Sequence, residues 1–269
     1  MPKLPISVCM ISGAEVQRIG QALDSVMPWT SECIVVLNQD AGDGTAQLAV
    51  ERGAKVFPEP WRGFVAQKNS ALAKATQPWV LGLDADEAVC PELRDEIIDF
   101  FAGKPERHAA YSFPRLTRYL GRWIRHGDWY PDRCVRLWQR TRGRWAGVDP
   151  HAALQVEGSV YKLRHDLFHF TADTLDRQVI KTMSYADDFV RHCQQTGRRV
   201  TFTDLLTRPA WRFARAYFFK LGLLDGWQGY TIAWMTSFYT FLRYAKAREA
   251  QLAKGQAAEP TGVPVVPPR

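Results

Sequence analysis

Two aspartates separated by one residue follow directly on an apolar run, and this arrangement makes the segment a candidate binding site for a metal ion. The run Trp79–Leu83 is typical of a buried strand in a parallel sheet, and Asp84, Asp86 and Glu87 stand at its end. Open α/β sheets bind ligands at the carboxyl ends of their strands, so these carboxylates are expected at a binding edge. Clustered carboxylates repel one another unless a cation neutralises them, and their oxygens suit Mg²⁺ or Mn²⁺.

The acidic segment allows two interpretations. A divalent cation held by Asp84 and Asp86 would bridge to the phosphates of a nucleotide. Alternatively, the segment is only a turn that leads into a helix, for which Pro91 is a suitable first residue. The spacing of the acids leaves both interpretations open.

The first hundred residues alternate between apolar runs and amphipathic segments. Predicted strands are Ile6–Ile11, Cys33–Leu37, Ala54–Phe57 and Val80–Leu83, with helices at Val16–Met27, from Thr45 to Arg52, Phe64–Ala75 and Pro91–Phe101. Such alternation with short links predicts an α/β fold with a mostly parallel sheet and right-handed crossovers. The loops after the first, second and fourth strands then form the binding edge.

Beyond Ala109 the pattern changes to short strands around a loop rich in arginine, tryptophan and glycine, and from Thr174 it becomes helical. The predicted helices are Asp176–Gln194, Arg212–Leu224 and Trp227–Ala250. We therefore expect a nucleotide-binding and catalytic domain at 1–170, a helical aromatic and basic region at 171–250, and a disordered proline-rich tail at 251–269.

Composition limits the classes of protein and partner. The chain has 269 residues, 46% of them apolar, and a net charge of +7, which suits partners that carry phosphate. Five scattered cysteines without paired spacing favour a reducing compartment and argue against a zinc site. The N-terminal residues lack the pattern of a secretory signal, and no run is long enough to span a membrane, so a cytoplasmic protein is expected.

Several longer motifs resemble one known family. They are ISVCMIS (6–12), IVVLNQDAGDGT (34–45), GAKVFPEPWRGFVAQKNSAL (53–72), WVLGLDADE (79–87), GRWIRHGDWYPD (121–132), RLW (136–138), LDGWQGY (224–230) and FYTFLRYAK (238–246). With them the chain resembles family 2 glycosyltransferases, and among these the bacterial lipopolysaccharide inner-core β-glucosyltransferase group. The resemblance extends from Ile6 to about Arg248.

The resemblance implies a GT-A fold, which is Rossmann-like, with a C-terminal helical extension. It also implies inverting transfer of a sugar. The expected donor is UDP-glucose, and the expected acceptor is a heptose of a lipid-linked core oligosaccharide. By position, Asp86 would bind Mg²⁺ or Mn²⁺, and Asp84 would lie near the ribose or diphosphate and help to hold the metal. Ile11 and Ser12 would line the base pocket.

The chain departs from the common family pattern at three places. Ala14 stands where many members have Asn, Asn38 where many have Asp, and Ala152 where many have Glu after His151. The amide of Asn38 can still hydrogen-bond a nucleobase, because it both donates and accepts. Ala152 removes a plausible general base.

An inverting transfer needs a base for the acceptor hydroxyl. Asp149 and His151 are the first candidates, and Asp128 is the third. His151 is also a candidate metal ligand, since imidazole binds metals well, although a lone histidine is more often structural. Asp128 lies in a segment that also fits a turn in which aspartate caps backbone amides.

Three further residues are predicted to bind the donor or the acceptor. Lys68 would neutralise the departing diphosphate if its helix begins near the phosphates, and otherwise it is a solvated helix lysine. Asp43 opens a short helix in the loop after the second strand, where it is predicted to bind the nucleotide. Trp129 would stack on a sugar face or else be a packing aromatic residue.

Basic and aromatic residues suggest where the acceptor and the membrane would bind. Arginines between Arg115 and Arg144 interleave with Trp and Tyr, and they are interpreted either as a solvated face or, as we favour, as ligands for phosphates of the lipopolysaccharide core. The C-terminal helices are expected to pack mostly on the core and to leave one aromatic and basic face on the inner membrane, at its cytoplasmic side.

Three other functions compete with this one. A related transferase would act on a polyprenyl phosphate or another glycan. A basic nucleic-acid-binding protein is disfavoured, because the acidic sheet edge would repel a nucleic-acid backbone and no nucleic-acid motif is present, so no nucleic acid is expected as a partner. A relative that binds sugar nucleotides without transfer activity is suggested by Ala14 and Ala152.

Overall fold

The computed structural model describes residues 3–103, 105–149, 151–170 and 174–256, with the backbone only at positions 151, 177, 181 and 254–256. The chain forms two compact units. The first holds the described residues up to Tyr119 and from Trp129 to Phe170. The second holds Leu120–Asp128 and the described residues from 174 onward.

The described residues form the following strands and helices. The strands are β1 (Leu4–Ser12), β2 (Thr30–Asn38), β3 (Lys55–Glu59), β4 (Trp79–Gly82), β5 (Glu87–Val89), β6 (Ala110–Tyr119), β7 (Arg122–Ile124), β8 (Asp132–Gln139), β9 (Gly143–Val148), β10 (His151–Val156), β11 (Val160–Lys162) and β12 (Leu167–Phe170). The helices are α1 (Val16–Asp24), α2 (Thr45–Glu51), α3 (Phe64–Ala73), α4 (Pro91–Ala102), α5 (Leu175–Thr196), α6 (Phe202–Ala214) and α7 (Gly226–Gln256).

The main sheet of the first unit has the strand order β3-β2-β1-β4-β8-β6-β12-β5, and β11 also pairs with β6. Strands β3, β2, β1 and β4 are parallel to one another, and β8 and β5 run in the opposite direction to the rest. Strands β9 and β10 form a separate antiparallel hairpin. The expected mostly parallel α/β sheet is confirmed.

Both faces of the central strands are covered, which explains their continuous apolar runs. On one face, Met10 and Leu81 pack with Leu23 of α1 and Leu93 of α4. On the other face, Cys9 and Val80 belong to a second cluster, whose remaining members include Ala71 of α3, Trp138 of β8 and Trp145 of β9. Because successive strand residues point to opposite faces, each strand needs apolar side chains on both.

The boundaries of several elements differ from those predicted. Strand β5 begins at Glu87, inside the acidic segment, and it was not predicted. Helix α6 begins at Phe202 rather than Arg212, because Thr201 and Asp204 form a capping box at its start. Helix α7 continues to Gln256, inside the segment predicted as a disordered tail. The remainder of that tail, 257–269, lies outside the described residues.

In the second unit, α5 and α6 pack on α7 around Cys193, Val200, Tyr244 and Ala247. The link from α6 to α7 is a π-helical turn at Arg215–Phe219 and a 3₁₀ turn at Gly222–Asp225. A Cβ atom on Gly229 would lie 1.9 Å from the carbonyl oxygen of Gly222, so this link packs very closely on α7. No helix in the described ranges is both long and apolar enough to cross a membrane.

Glu32 on β2 is a buried carboxylate whose pairing should make stability depend on acid pH. Burial alone raises the pKa of Glu32, but hydrogen bonds from Lys55, Ser7 and Thr76 outweigh it and lower the pKa from 4.5 to about 2. A lowered folded-state pKa stabilises the protein above the unfolded-state pKa, and this stabilisation is lost as pH falls from 4.5 to about 2.

We therefore predict that Glu32→Gln lowers the free energy of unfolding at neutral pH by up to about 3 kcal/mol. The difference from wild type should shrink as pH falls through the window given above. Urea unfolding at several pH values measures both effects. Glu51→Gln, at an exposed helix position, is the control and should change little. An equal loss at every pH would contradict the assigned pairing.

Candidate active site

The carboxyl ends of β1, β2 and β4 meet at one edge of the sheet, as predicted. Ser12 pairs with Leu37 at the ends of β1 and β2, and Cys9 of β1 pairs with Gly82 of β4. Ile11, Ser12, Asn38 and the acidic segment are therefore brought to one edge. A small cavity lies there, lined by Cys9, Ile11, Lys68, Ala71, Gly82, Leu83, Asp84 and Trp145.

Asp84 is held between two cations. Lys68 Nζ donates to its Oδ1 at 2.6 Å, and Arg136 Nη2 donates to its Oδ2 at 2.6 Å. Burial alone raises the pKa of Asp84, but the charges of Arg136 and Lys68 dominate and hold the pKa far below its usual range. Both oxygens of Asp84 are thus engaged by protein cations, which favours a role other than metal ligand for this residue.

Glu87 lies at the centre of a buried ion network rather than at a ligand surface. Its side chain is fully buried, and its Oε1 accepts from Arg136 Nη2 at 2.7 Å and from Arg115 Nη1 at 3.2 Å. Its Oε2 accepts the backbone N–H of Asp84 at 3.0 Å. Arg115 also pairs with Asp132. The network fixes the shape of the acidic turn, and it neutralises two of the three acids without a metal.

Asp86 has a different neighbour, the imidazole of His169. His169 Nε2 is 3.5 Å from Asp86 Oδ2, and its Nδ1 is 3.1 Å from Thr117 Oγ1. The position is fixed by the backbone, because β12 pairs with β5 and the N–H of Phe170 donates to the carbonyl of Asp86 at 2.8 Å. His169 was not predicted. The only signal in the sequence was a polar residue between two phenylalanines, Phe168 and Phe170.

Asp86 and His169 together fit a divalent cation. Their side chains offer a carboxylate oxygen and an imidazole nitrogen, and Thr117 orients the ring through its other nitrogen, as partners of metal-binding histidines usually do. The carboxylate suits Mg²⁺ and Mn²⁺, and the softer nitrogen favours Mn²⁺. Within the described residues, no group of three or more His, Cys, Asp and Glu side chains is arranged to hold a metal ion. Two protein ligands are common where phosphate oxygens and water complete the shell.

Helix α3 brings Lys68 to the site, and Asp149 lies at the start of that helix. Asp149 Oδ1 accepts the backbone N–H of Val65 at 3.0 Å. Asn69 exchanges two hydrogen bonds with the backbone of Trp145, and Lys68 Nζ lies 4.5 Å from the ring centre of Trp145. Asp149 is exposed, so the predicted base is near the helix that carries Lys68, with one oxygen used as a helix cap.

The other two predicted bases have different positions. Asp128 belongs to the second unit, where Arg215, Lys220 and Arg212 lie 2.7, 3.0 and 3.2 Å from its carboxylate. Its side chain is 6% exposed, so it is enclosed by cations and poorly placed to receive a proton. His151 begins β10, and its side chain lies outside the described part of the chain.

Asp43 and Trp129 have structural contacts in the first unit. Asp43 accepts from the hydroxyl and N–H of Thr45 and from the N–H of Val16, and the hydrogen bond from the Thr45 hydroxyl is the main cause of its lowered pKa. Trp129 packs edge to face on Tyr119, with ring centres 5.1 Å apart. Their predicted roles toward nucleotide and sugar stay predictions.

Several arginines predicted to bind acceptor phosphates make contacts within the protein. Arg133 donates to the carbonyls of Ser112 and Leu163, and Arg140 donates to that of Gln77. Arg115 and Arg136 belong to the network around Glu87. The guanidinium groups of these four arginines are therefore engaged within the protein. Their predicted role toward acceptor phosphates stays a prediction.

A family model and the relatives found by sequence agree on one family. The family model described as glycosyl transferase family 2 matches residues 7–163. An uncharacterized glycosyltransferase of Rickettsia typhi is 31% identical over 257 residues, which are 92% of this chain and 88% of that protein. The lipopolysaccharide core biosynthesis glycosyltransferase LpsC of Rhizobium meliloti is 29% identical over 264 residues, which are 95% and 96% of the two chains. A crystal structure of mannosyl-3-phosphoglycerate synthase from Rubrobacter xylanophilus covers 73% of this chain and 76% of its own, with 16% identity and a TM-score of 0.47.

Proposed function

The chain belongs to glycosyltransferase family 2 and is a glycosyltransferase, and from this premise we propose that it transfers glucose from UDP-glucose to a heptose of a lipopolysaccharide core. The transfer is proposed to invert the anomeric carbon in a single displacement. The observation that carries the proposal is the grouping of Asp86 with His169, and of Asp84 with Lys68 and Arg136, at the carboxyl edge of the sheet.

The acceptor assignment is supported by the name of one relative, LpsC of Rhizobium meliloti. LpsC is described as a lipopolysaccharide core biosynthesis glycosyltransferase, and its similarity covers nearly the whole of both chains. A core acceptor is lipid-linked, so the proposed place of action is the cytoplasmic face of the inner membrane. A polyprenyl phosphate or another glycan is the alternative acceptor.

Some residues of the site are proposed to stabilise charge on the departing diphosphate, and others to bind the nucleobase. Mg²⁺ or Mn²⁺, held by Asp86 and His169, would supply charge stabilisation for the departing diphosphate. Lys68 and Arg136 add fixed positive charge beside the same edge, and Asp84 holds both cations in place. Ile11, Ser12 and Asn38, at the ends of β1 and β2, are proposed to line the pocket for the base.

Asp149 is the proposed base, because Asp128 is enclosed by cations, whereas Asp149 is an exposed residue that uses only its Oδ1 to accept the N–H of Val65. Asp149→Asn keeps an oxygen that can cap α3 but removes the basic group. We predict that kcat falls about a hundredfold, while the thermal unfolding midpoint stays near that of wild type. Asp149→Ala should lower both. Wild-type kcat in Asp149→Asn would show that Asp149 is a helix cap only.

The donor and acceptor are tested by incubating the enzyme and Mn²⁺ with a panel of UDP-sugars and acceptors, followed by mass spectrometry. The acceptors are truncated lipopolysaccharide cores and a polyprenyl phosphate. A mass increase of one hexose on a heptose-containing core, with UDP-glucose as the donor, is the expected result. Transfer to polyprenyl phosphate alone would replace the proposed acceptor, and transfer from another UDP-sugar would replace the proposed donor.

A further inference from the structure

The link between α6 and α7 carries an exposed apolar surface, here named the aromatic tip. It consists of Trp211, Phe218, Phe219, Leu221, Leu224 and Trp227. Phe219 is 71% exposed and Trp227 is 60% exposed. Scattered apolar side chains are normal at a protein surface, but large contiguous patches mark sites that contact a partner or a membrane. The ring centres of Trp211 and Phe219 are 5.5 Å apart, so side chains of α6 and of the link belong to one patch, and such a patch indicates a contact site.

The tip is built as a fixed shape. Gly229 of α7 leaves no room for a side chain beside the carbonyl of Gly222, so the link and the helix are in close contact. Asp225 is buried, and its Oδ2 accepts the backbone N–H groups of Arg125 and His126. These contacts fix the buried side of the link, and its apolar side chains remain exposed on the other side.

Positive charge surrounds the tip. Arg212 lies in α6, Arg215 begins the π-helical turn and Lys220 follows it directly. Each is about two-fifths exposed, and all three contact the buried carboxylate of Asp128. One carboxylate and three cations leave a surplus of positive charge. Over residues 205–248 the sequence has seven Lys and Arg and one acid, the buried Asp225. Asp128 thus acts as an internal counter-ion that positions basic side chains at the foot of the tip.

We propose that the aromatic tip docks the enzyme on an anionic phospholipid bilayer. The tryptophan and phenylalanine side chains would enter the boundary between headgroups and acyl chains, and Arg212, Arg215 and Lys220 would lie against lipid phosphates. A protein partner is less well matched, because the border of the tip has only one sign of charge. The inference rests on the proposed function in one respect, since a lipid-linked acceptor requires the enzyme at a membrane.

The test is co-sedimentation of the full chain with vesicles of phosphatidylcholine, alone or mixed with phosphatidylglycerol. Wild type should sediment with the mixed vesicles and much less with phosphatidylcholine, and salt should weaken the binding. The double variant Phe218→Ser, Phe219→Ser should bind mixed vesicles at least about tenfold more weakly. The double variant Arg212→Gln, Lys220→Gln should lose the preference for phosphatidylglycerol. Ile180→Ser with Met183→Ser, two exposed apolar positions on α5, is the matched control and should bind like wild type.

Circular dichroism melting of each variant establishes that it is folded. Equal binding to both kinds of vesicle, no binding, or equal losses in the tip variant and the α5 control would overturn the proposal. Hexose transfer to a soluble truncated core should be unchanged in the serine variant of the tip. If no UDP-sugar is used by any form of the protein while vesicle binding follows the expected pattern, the proposed function fails and the docking surface stands.

Discussion

Replacing Asp86 by asparagine should lower the rate of sugar transfer about a thousandfold. The reason is that Asp86 is an acid of the sheet edge that lies beside an imidazole, whereas Asp84 and Glu87 are held by arginine and lysine. The amide loses the charge that would hold a divalent cation. Steady-state kinetics with UDP-glucose and a core acceptor measures the effect, and titration calorimetry with Mn²⁺ measures binding separately.

Two other substitutions make this result specific. His169→Ala should weaken Mn²⁺ binding by at least about tenfold, because it removes the nitrogen donor. Asp95→Asn, at an acid on α4 paired with Arg94, should change neither measurement. Full activity of Asp86→Asn, or Mn²⁺ binding that does not respond to either site substitution, would rule out the proposed metal position.

Arg136→Met should lower the free energy of unfolding by roughly 3–5 kcal/mol, because it leaves the buried carboxylate of Glu87 with Arg115 as its remaining counter-ion. Arg136 is 8% exposed and donates to both Asp84 and Glu87, and these charges raise its own pKa despite burial. Chemical denaturation monitored by circular dichroism measures the loss. Arg140→Met, at an exposed arginine that donates to the carbonyl of Gln77, is the control and should cost less than about 1 kcal/mol.

A second substitution tests the cause of that loss. In the double variant Arg136→Met, Glu87→Gln, the buried acid is neutral and needs less compensation, so part of the stability should return. If the double variant loses the sum of the two single losses, the effect of Arg136 is lost packing rather than an unpaired charge on Glu87.

Local sequence patterns were sufficient to predict the acidic edge of the site. Trp79–Leu83 and the acids after it are adjacent in the chain, and the alternation of strands and helices fixes which ends of β1, β2 and β4 meet. The partner of each acid was not predictable in the same way. Arg136 and His169 reach the edge through the pairing of β8 with β4 and of β12 with β5, contacts between segments far apart in sequence. Nothing in the spacing distinguishes Arg136 from its eight neighbouring arginines.

The candidate bases show a similar limit. Asp128 and Asp149 both lie beside aromatic or histidine residues in predicted loops, and the sequence alone does not show which of them could act as the base. The structure separates them, because Asp128 meets three cations from the C-terminal region while Asp149 meets the first turn of α3. The membrane-facing hypothesis for the C-terminal helices was drawn from composition, and the fold adds the position of the exposed side chains within a short link.

The placement of β8 between β4 and β6 has a consequence for synthesis on the ribosome. The apolar strand β4 is an open edge until the chain has been made as far as Gln139, and β5 receives its neighbour only with Leu167–Phe170. An emerging chain that already contains β1 to β4 therefore exposes the unpaired outer edge of β4, which is prone to aggregation, while many more residues are translated. Chaperone capture should concentrate on nascent chains of this intermediate length.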